Sequence, residues 1–195
     1  MSKLDFNVFL IGFMGAGKST IARCLQKELD MELVEMDERI VQEQGMSINE
    51  IFEKSGEAGF RDIESRLVVD LGNQEKSIVS CGGGVVVRPE NVENMKKSGK
   101  IIFLTATPET ILERVKDGTD RPLLNGHMNV EYIEELMNKR LALYQGAADY
   151  MVATDGKTKG EICTEIIKLS NFWFCQLRIC SKLLSLSSHF VIYQR

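Results

Sequence analysis

The nine residues from Gly12 to Thr20, GFMGAGKST, constrain the fold of this chain more than any other stretch. They satisfy the spacing G-x-x-x-x-G-K-[ST] with Gly12, Gly17, Lys18 and Ser19, directly after the apolar run Val8-Phe9-Leu10-Ile11. A strand that ends in a glycine-rich turn and continues as a helix aims several backbone N–H groups at one point, and the positive end of the helix dipole adds to them. That makes a cradle for phosphate, built from Gly15, Ala16, Gly17, Lys18, Ser19 and Thr20. Lys18 reaches the β- and γ-phosphates as a point charge, and the Ser19 hydroxyl is a ligand for Mg2+. The inferred ligand is a nucleoside triphosphate, ATP.

Around this loop, short apolar runs alternate with amphipathic stretches, the pattern of an α/β chain with a mostly parallel sheet. The expected strands are Phe6 to Ile11, Glu32 to Glu35, Ser77 to Ser80, Lys100 to Thr105 and Tyr150 to Ala153. Phe60, Ile63, Leu67 and Leu71 recur at helical spacing and predict one sheet-facing stripe, with Arg61 and Glu64 together on another face. Thr107-Pro108 opens a further helix, and Asn129 caps the one carrying Tyr132, Ile133, Leu136 and Met137. Between these two helices, residues 116 to 128 read as a loop long enough to be a lid. At 195 residues the chain fits one domain, residues 1 to 170, followed by a tail from 171 to 195 that has no acidic residue and breaks the α/β rhythm. A docked helix, an interaction segment and a functionless tail all stay open for it.

Composition removes other classes. A net charge of −4 argues against a nucleic-acid binder, which would carry a basic field. No run approaches the roughly 18 apolar residues of a membrane span. Five cysteines without a C-x-x-C pair fit buried thiols in a reducing compartment, so a cytoplasmic location is expected. Neither a D-x-x-G switch nor an N-K-x-D guanine reader is present, since NKRL at Asn138 to Leu141 lacks the Asp. A small kinase with a second substrate site is therefore expected.

Three clusters could build that second site. Asp37, in EMDER, follows the second strand at the carboxyl edge of the sheet, where doubly wound proteins bind ligands; a plain helix N-cap is the competing reading. Gly82, Gly83 and Gly84 follow the third strand, and three glycines in a row give up chain entropy that close backbone approach to a ligand explains better than a turn does. Arg61, Arg121 and Arg140 complete the set, although each alone could be a solvated surface residue and Arg61 with Glu64 only an exposed helix pair.

Taken in order, GFMGAGKST, EMDERI with GMSINEIFEKSGEAGFRDIES, VSCGGGVV, TDRPLL and NKRLALY resemble the shikimate kinases, of the nucleoside monophosphate kinase group of P-loop proteins. The resemblance covers about residues 7 to 170 and implies a three-layer α/β/α fold with a five-stranded parallel sheet ordered 2-3-1-4-5 and a mobile lid. It implies that Asp37 binds the shikimate hydroxyls near the attacking one, that Arg61 and Arg140 clamp the carboxylate, and that Gly82 to Gly84 line the pocket. Arg121 would swing from the lid onto the migrating phosphoryl group. Arg114 would pack on adenine beside the loop Thr154-Asp155-Gly156. A planar guanidinium pair suits a carboxylate, which a neutral sugar would not require.

The expected reaction is transfer of the ATP γ-phosphoryl to the 3-hydroxyl of shikimate, with Asp37, Lys18 and Arg121 catalytic. One Mg2+ per subunit is expected on Ser19 and, through water, on Glu35. The family usually has Asp at position 35, so the added methylene of Glu35 should change Mg2+ affinity rather than abolish activity. The partners expected are ATP and shikimate, with no nucleic acid and no membrane, in a monomer. A gluconate kinase and a nucleotide-binding regulatory protein without turnover are the rival readings.

Overall fold

The computed structural model describes residues 4–116 and 129–169. Five parallel strands form one sheet: β1 (Asn7–Ile11), β2 (Glu32–Glu35), β3 (Ser77–Ser80), β4 (Gly99–Thr105) and β5 (Tyr150–Ala153), in the order β2-β3-β1-β4-β5. This is the expected order, and the strand bounds differ from the sequence reading by one residue at β1 and one at β4. β1 lies at the centre with all five residues buried, which is why its sequence is continuously apolar after Asn7 rather than alternating. The exception is satisfied internally. Asn7 donates to the Leu71 carbonyl at 3.2 Å and accepts from the Ser77 N–H at 2.9 Å, tying a flanking helix and β3 to the start of β1.

Helices cover both faces. On one side α1 (Lys18–Leu29) and a final helix over residues 159–169 pack Ile21, Leu25, Ile162 and Ile166 against Leu10 and Ile102. On the other, α2 (Met36–Gln44), α3 (Ile48–Gly72) and α4 (Pro89–Ser98) pack Ile40, Leu67, Leu71 and Met95 against Phe9, Ile11 and Ile101. A fully buried aliphatic side chain contributes about 1.5–3 kcal/mol, so these two apolar layers fix the helices that carry the site. The predicted stripe is present, with Phe60, Leu67 and Leu71 buried and Ile63 partly so.

Local signals set the helix ends. Ser47 and Glu50 form a reciprocal capping box that starts α3, and Gly56, at φ 67°, breaks that helix into two segments. Thr107 caps α5 (Pro108–Val115) by accepting from the Thr110 N–H, and Asn129 caps α6 (Val130–Ala147) by accepting from the Tyr132 N–H, both as expected. The expected lid beyond Lys116, with Arg121, and the 171–195 tail lie outside the described residues. Among the described residues, no helix is long and apolar enough to cross a membrane.

Candidate active site

The carboxyl edge of the sheet opens into one cleft of about 900 Å³. Its floor is the turn between β1 and α1. Gly12, Gly15 and Gly17 all have positive φ there, and a Cβ on Gly12 would meet the Leu104 carbonyl oxygen at 2.6 Å. Only glycine fits such a turn. Lys18 Nζ donates to the carbonyls of Gly12 and Phe13 at 2.9 and 3.0 Å, so the ammonium arches over the loop it serves.

Arg114 closes one end of the cleft. It donates to Thr154 Oγ1 at 2.9 Å, to the Thr154 carbonyl at 3.2 Å and to the carbonyls of Gly15 and Ala16 at 3.3 and 3.4 Å. The phosphate loop, α5 and the chain after β5 are therefore locked through one guanidinium. Lys157 and Lys159 line the same end and add positive charge that motif reading had not singled out.

At the other end, Asp37, Arg61, Glu64, Gly82 to Gly84 and Arg140 come together from α2, α3, the turn after β3 and α6. Asp37 is not the N-cap of α2. Glu35 holds that position, and Asp37 lies in the first turn, where the helix dipole favours a carboxylate. Burial pushes its carboxyl above the usual value, Lys18 and Arg61 pull it back, and Glu35 adds to the rise.

Arg61 and Glu64 are not the exposed helix pair that their spacing had left open. Arg61 is 9% and Glu64 1% exposed, and Arg61 Nη1 lies 2.8 Å from Glu64 Oε2. Arg61 also bonds Glu57 at 3.1 Å, and its guanidinium carbon sits 5.3 Å from the Phe60 ring centroid. Burial opposes its charge, while Glu64 and Glu57 keep it protonated. Burial also raises the Glu64 carboxyl, Arg61 lowers it, and Asp37 adds to the rise. Glu64 is the site residue that motif reading missed. Its spacing from Arg61 was visible, and its burial was not.

The glycines are explained by these neighbours. A Cβ on Gly82 would lie 2.9 Å from Asp37 Oδ1 and 3.0 Å from Glu64 Oε1, and one on Gly84 would collide with the Arg61 guanidinium. Gly83 directs its carbonyl to α6, where Tyr144 and Arg140 donate to it.

Between the two ends, Ser19 Oγ donates to Glu35 Oε2 at 2.9 Å and lies 3.4 Å from Ser80 Oγ. Glu35 Oε1 is buried without a hydrogen-bond partner and faces Arg23 Nη2 at 3.6 Å. Hydroxyl and carboxylate oxygens beside a phosphate loop are hard donors of the kind Mg2+ takes, so the residues fit that ion.

A family model described as shikimate kinase matches residues 14–171. A shikimate kinase of Thermodesulfovibrio yellowstonii is 43% identical over 162 residues, covering 83% of this chain and 93% of the relative. The solved structure of a shikimate kinase from Acinetobacter baumannii in complex with shikimate superposes with a TM-score of 0.78 at 32% identity, over 84% of this chain and 92% of that one. A gluconokinase from Sinorhizobium meliloti shares the fold alone, at 16% identity and a TM-score of 0.58 over 89% of this chain and 98% of that one.

Proposed function

The chain belongs to the shikimate kinase family, whose reaction is the ATP-dependent phosphorylation of shikimate, and we propose that its cleft delivers the γ-phosphoryl group to the 3-hydroxyl, giving shikimate 3-phosphate and ADP. It is a phosphotransferase. One observation carries the assignment of roles: a single cleft joins a phosphate-binding loop to a pocket where two guanidinium groups and Asp37 surround a glycine turn.

Phosphoryl transfer asks a protein chiefly to position the reactants and to neutralise charge. Gly15 to Thr20 hold the phosphates through backbone N–H groups, and Lys18 places its charge beside the transferring group. Arg114 and Thr154 frame the adenine end. Arg61 and Arg140 take the shikimate carboxylate, and Gly82 to Gly84 let the substrate approach the backbone. Asp37 orients the 3-hydroxyl and accepts its proton. Desolvation raises its carboxyl above the ordinary Asp value, which makes it a better base, and Lys18 opposes part of that rise. Arg121 is assigned to the migrating phosphoryl group from outside the described residues. Ser19 and, through water, Glu35 would hold Mg2+, which would supply charge neutralisation on the phosphate oxygens. Action as a monomer belongs to the same proposal, and five cysteines without a C-x-x-C pair support a cytoplasmic setting.

The test is ADP release from the purified full chain with ATP and Mg2+, comparing shikimate, gluconate and no acceptor. Release stimulated by shikimate alone is expected. Stimulation by gluconate would favour the sugar-acid reading, and ATP binding without release would favour a regulatory protein.

A further inference from the structure

Tyr144 is nearly fully buried, its ring stacked on Phe103 at 5.0 Å between centroids and 24° between planes. It follows Arg140 by four residues on α6, so both side chains leave the same helix face. Both reach the same atom. Tyr144 Oη donates to the Gly83 carbonyl at 2.5 Å, and Arg140 Nη1 donates to it at 3.4 Å. Burial raises the Tyr144 phenol above its usual range, and the nearby Arg140 charge lowers it in part. A hydroxyl on a buried, stacked ring and a pocket arginine thus meet at one carbonyl of the turn after β3.

We propose that Tyr144 is a positioning residue for shikimate, its hydroxyl holding the Gly83 peptide and the Arg140 guanidinium in the arrangement that receives the substrate carboxylate; this rests on the substrate reading given above. Peptide planarity extends the effect. With the Gly83 carbonyl pinned toward α6, the Gly84 N–H is pinned on the opposite side of the same peptide. Arg140 is only half-buried and has a long flexible stem, so without the phenol it keeps its charge and loses a fixed orientation. A guanidinium free to rotate still meets a carboxylate, with weaker affinity. The role is therefore one of binding, and the phosphoryl-transfer step does not pass through Tyr144.

Tyr144→Phe in the full chain tests this, because Phe keeps the stacking on Phe103 and leaves Arg140 to satisfy the Gly83 carbonyl. Losing one hydrogen bond that orients a charged group should raise the shikimate Kd by calorimetry, and KM with it, about five- to tenfold. Turnover number and KM for ATP should stay within about twofold, the pattern of lost ground-state binding. A residue that only stabilises the fold would instead lower Tm with both substrates bound as before. A shikimate Kd within about twofold of the wild type, or an equal loss for ATP, would overturn the proposal. Wild-type protein that gives no heat with shikimate would remove the substrate assignment and this inference with it; wild-type binding with an unaffected variant removes the role of Tyr144 alone.

Discussion

Glu64 Oε2 lies 2.8 Å from Arg61 Nη1, while Glu64 Oε1, equally buried, has no hydrogen-bond partner among the described residues. The free oxygen lies against Gly82, beside Asp37 Oδ1, so one carboxylate both holds a pocket arginine and offers an acceptor to whatever enters. This arrangement stores charge in a poorly solvated place. It suits a site better than it suits stability.

Glu64→Gln should expose that tension through pH. The Glu64 carboxyl is raised above its ordinary 4.5, first by burial, so the folded protein holds this proton more firmly than the unfolded chain does. Its contribution to stability is therefore complete below about 4.5 and is lost as pH rises through the raised value. Gln cannot ionise. The melting temperature of wild type minus that of the variant should thus fall as pH rises above about 4.5, as read by paired thermal melts in one buffer series. A difference that grows with pH would contradict the sign.

Asp37→Asn should lower turnover by about 10²- to 10⁴-fold, the usual span for a positioned general base, while shikimate KM moves far less. Asn retains the size and one acceptor oxygen, so binding survives where proton acceptance does not. Steady-state kinetics with shikimate varied at saturating ATP would decide, and full turnover in the variant would remove Asp37 from its role.

Arg140→Ala and Arg61→Ala should separate two pocket arginines that look alike in sequence. Each loses a charged hydrogen bond to the carboxylate, about 1.5–3 kcal/mol or roughly 10- to 150-fold in shikimate KM. Arg61→Ala also strands the buried Glu64, and breaking a buried pair destabilises by about 3–5 kcal/mol. Tm should therefore drop sharply for Arg61→Ala and little for Arg140→Ala. Equal melting temperatures would mean that the Arg61–Glu64 pair holds no structural weight.

Glu35→Asp should shift the Mg2+ dependence without abolishing activity. The shorter side chain retreats from Ser19 Oγ, now 2.9 Å away, and Mg2+ tolerates little change in its shell. Titrating Mg2+ at fixed ATP, alongside Mn2+ binding followed directly with ADP present, reads the effect with and without turnover. Identical metal curves for the two proteins would remove Glu35 from the metal's surroundings.

Much of this molecule is determined locally and is therefore legible in the chain itself. The phosphate loop depends on glycines at set positions and on a strand-to-helix transition. The caps at Ser47, Thr107 and Asn129 depend on side chains bonding their own next turn. The parallel sheet follows from continuous apolar runs separated by helical ones, and the family resemblance, carried by ordered motifs, implied the strand order. The tertiary structure alone decided which polar residues lost their water. Spacing left Arg61 and Glu64 open to being a solvent-facing pair, which the packing of the turn after β3 excludes, and Tyr144, which no motif singled out, finds its acceptor at Gly83, 61 residues earlier. Spacing along a chain reports neighbours within a turn or two of helix. Burial, the shifts in proton affinity it causes and the convergence of α2, α3, α6 and the glycine turn on one pocket depend on which distant segments share a surface, and only the packed fold determines that.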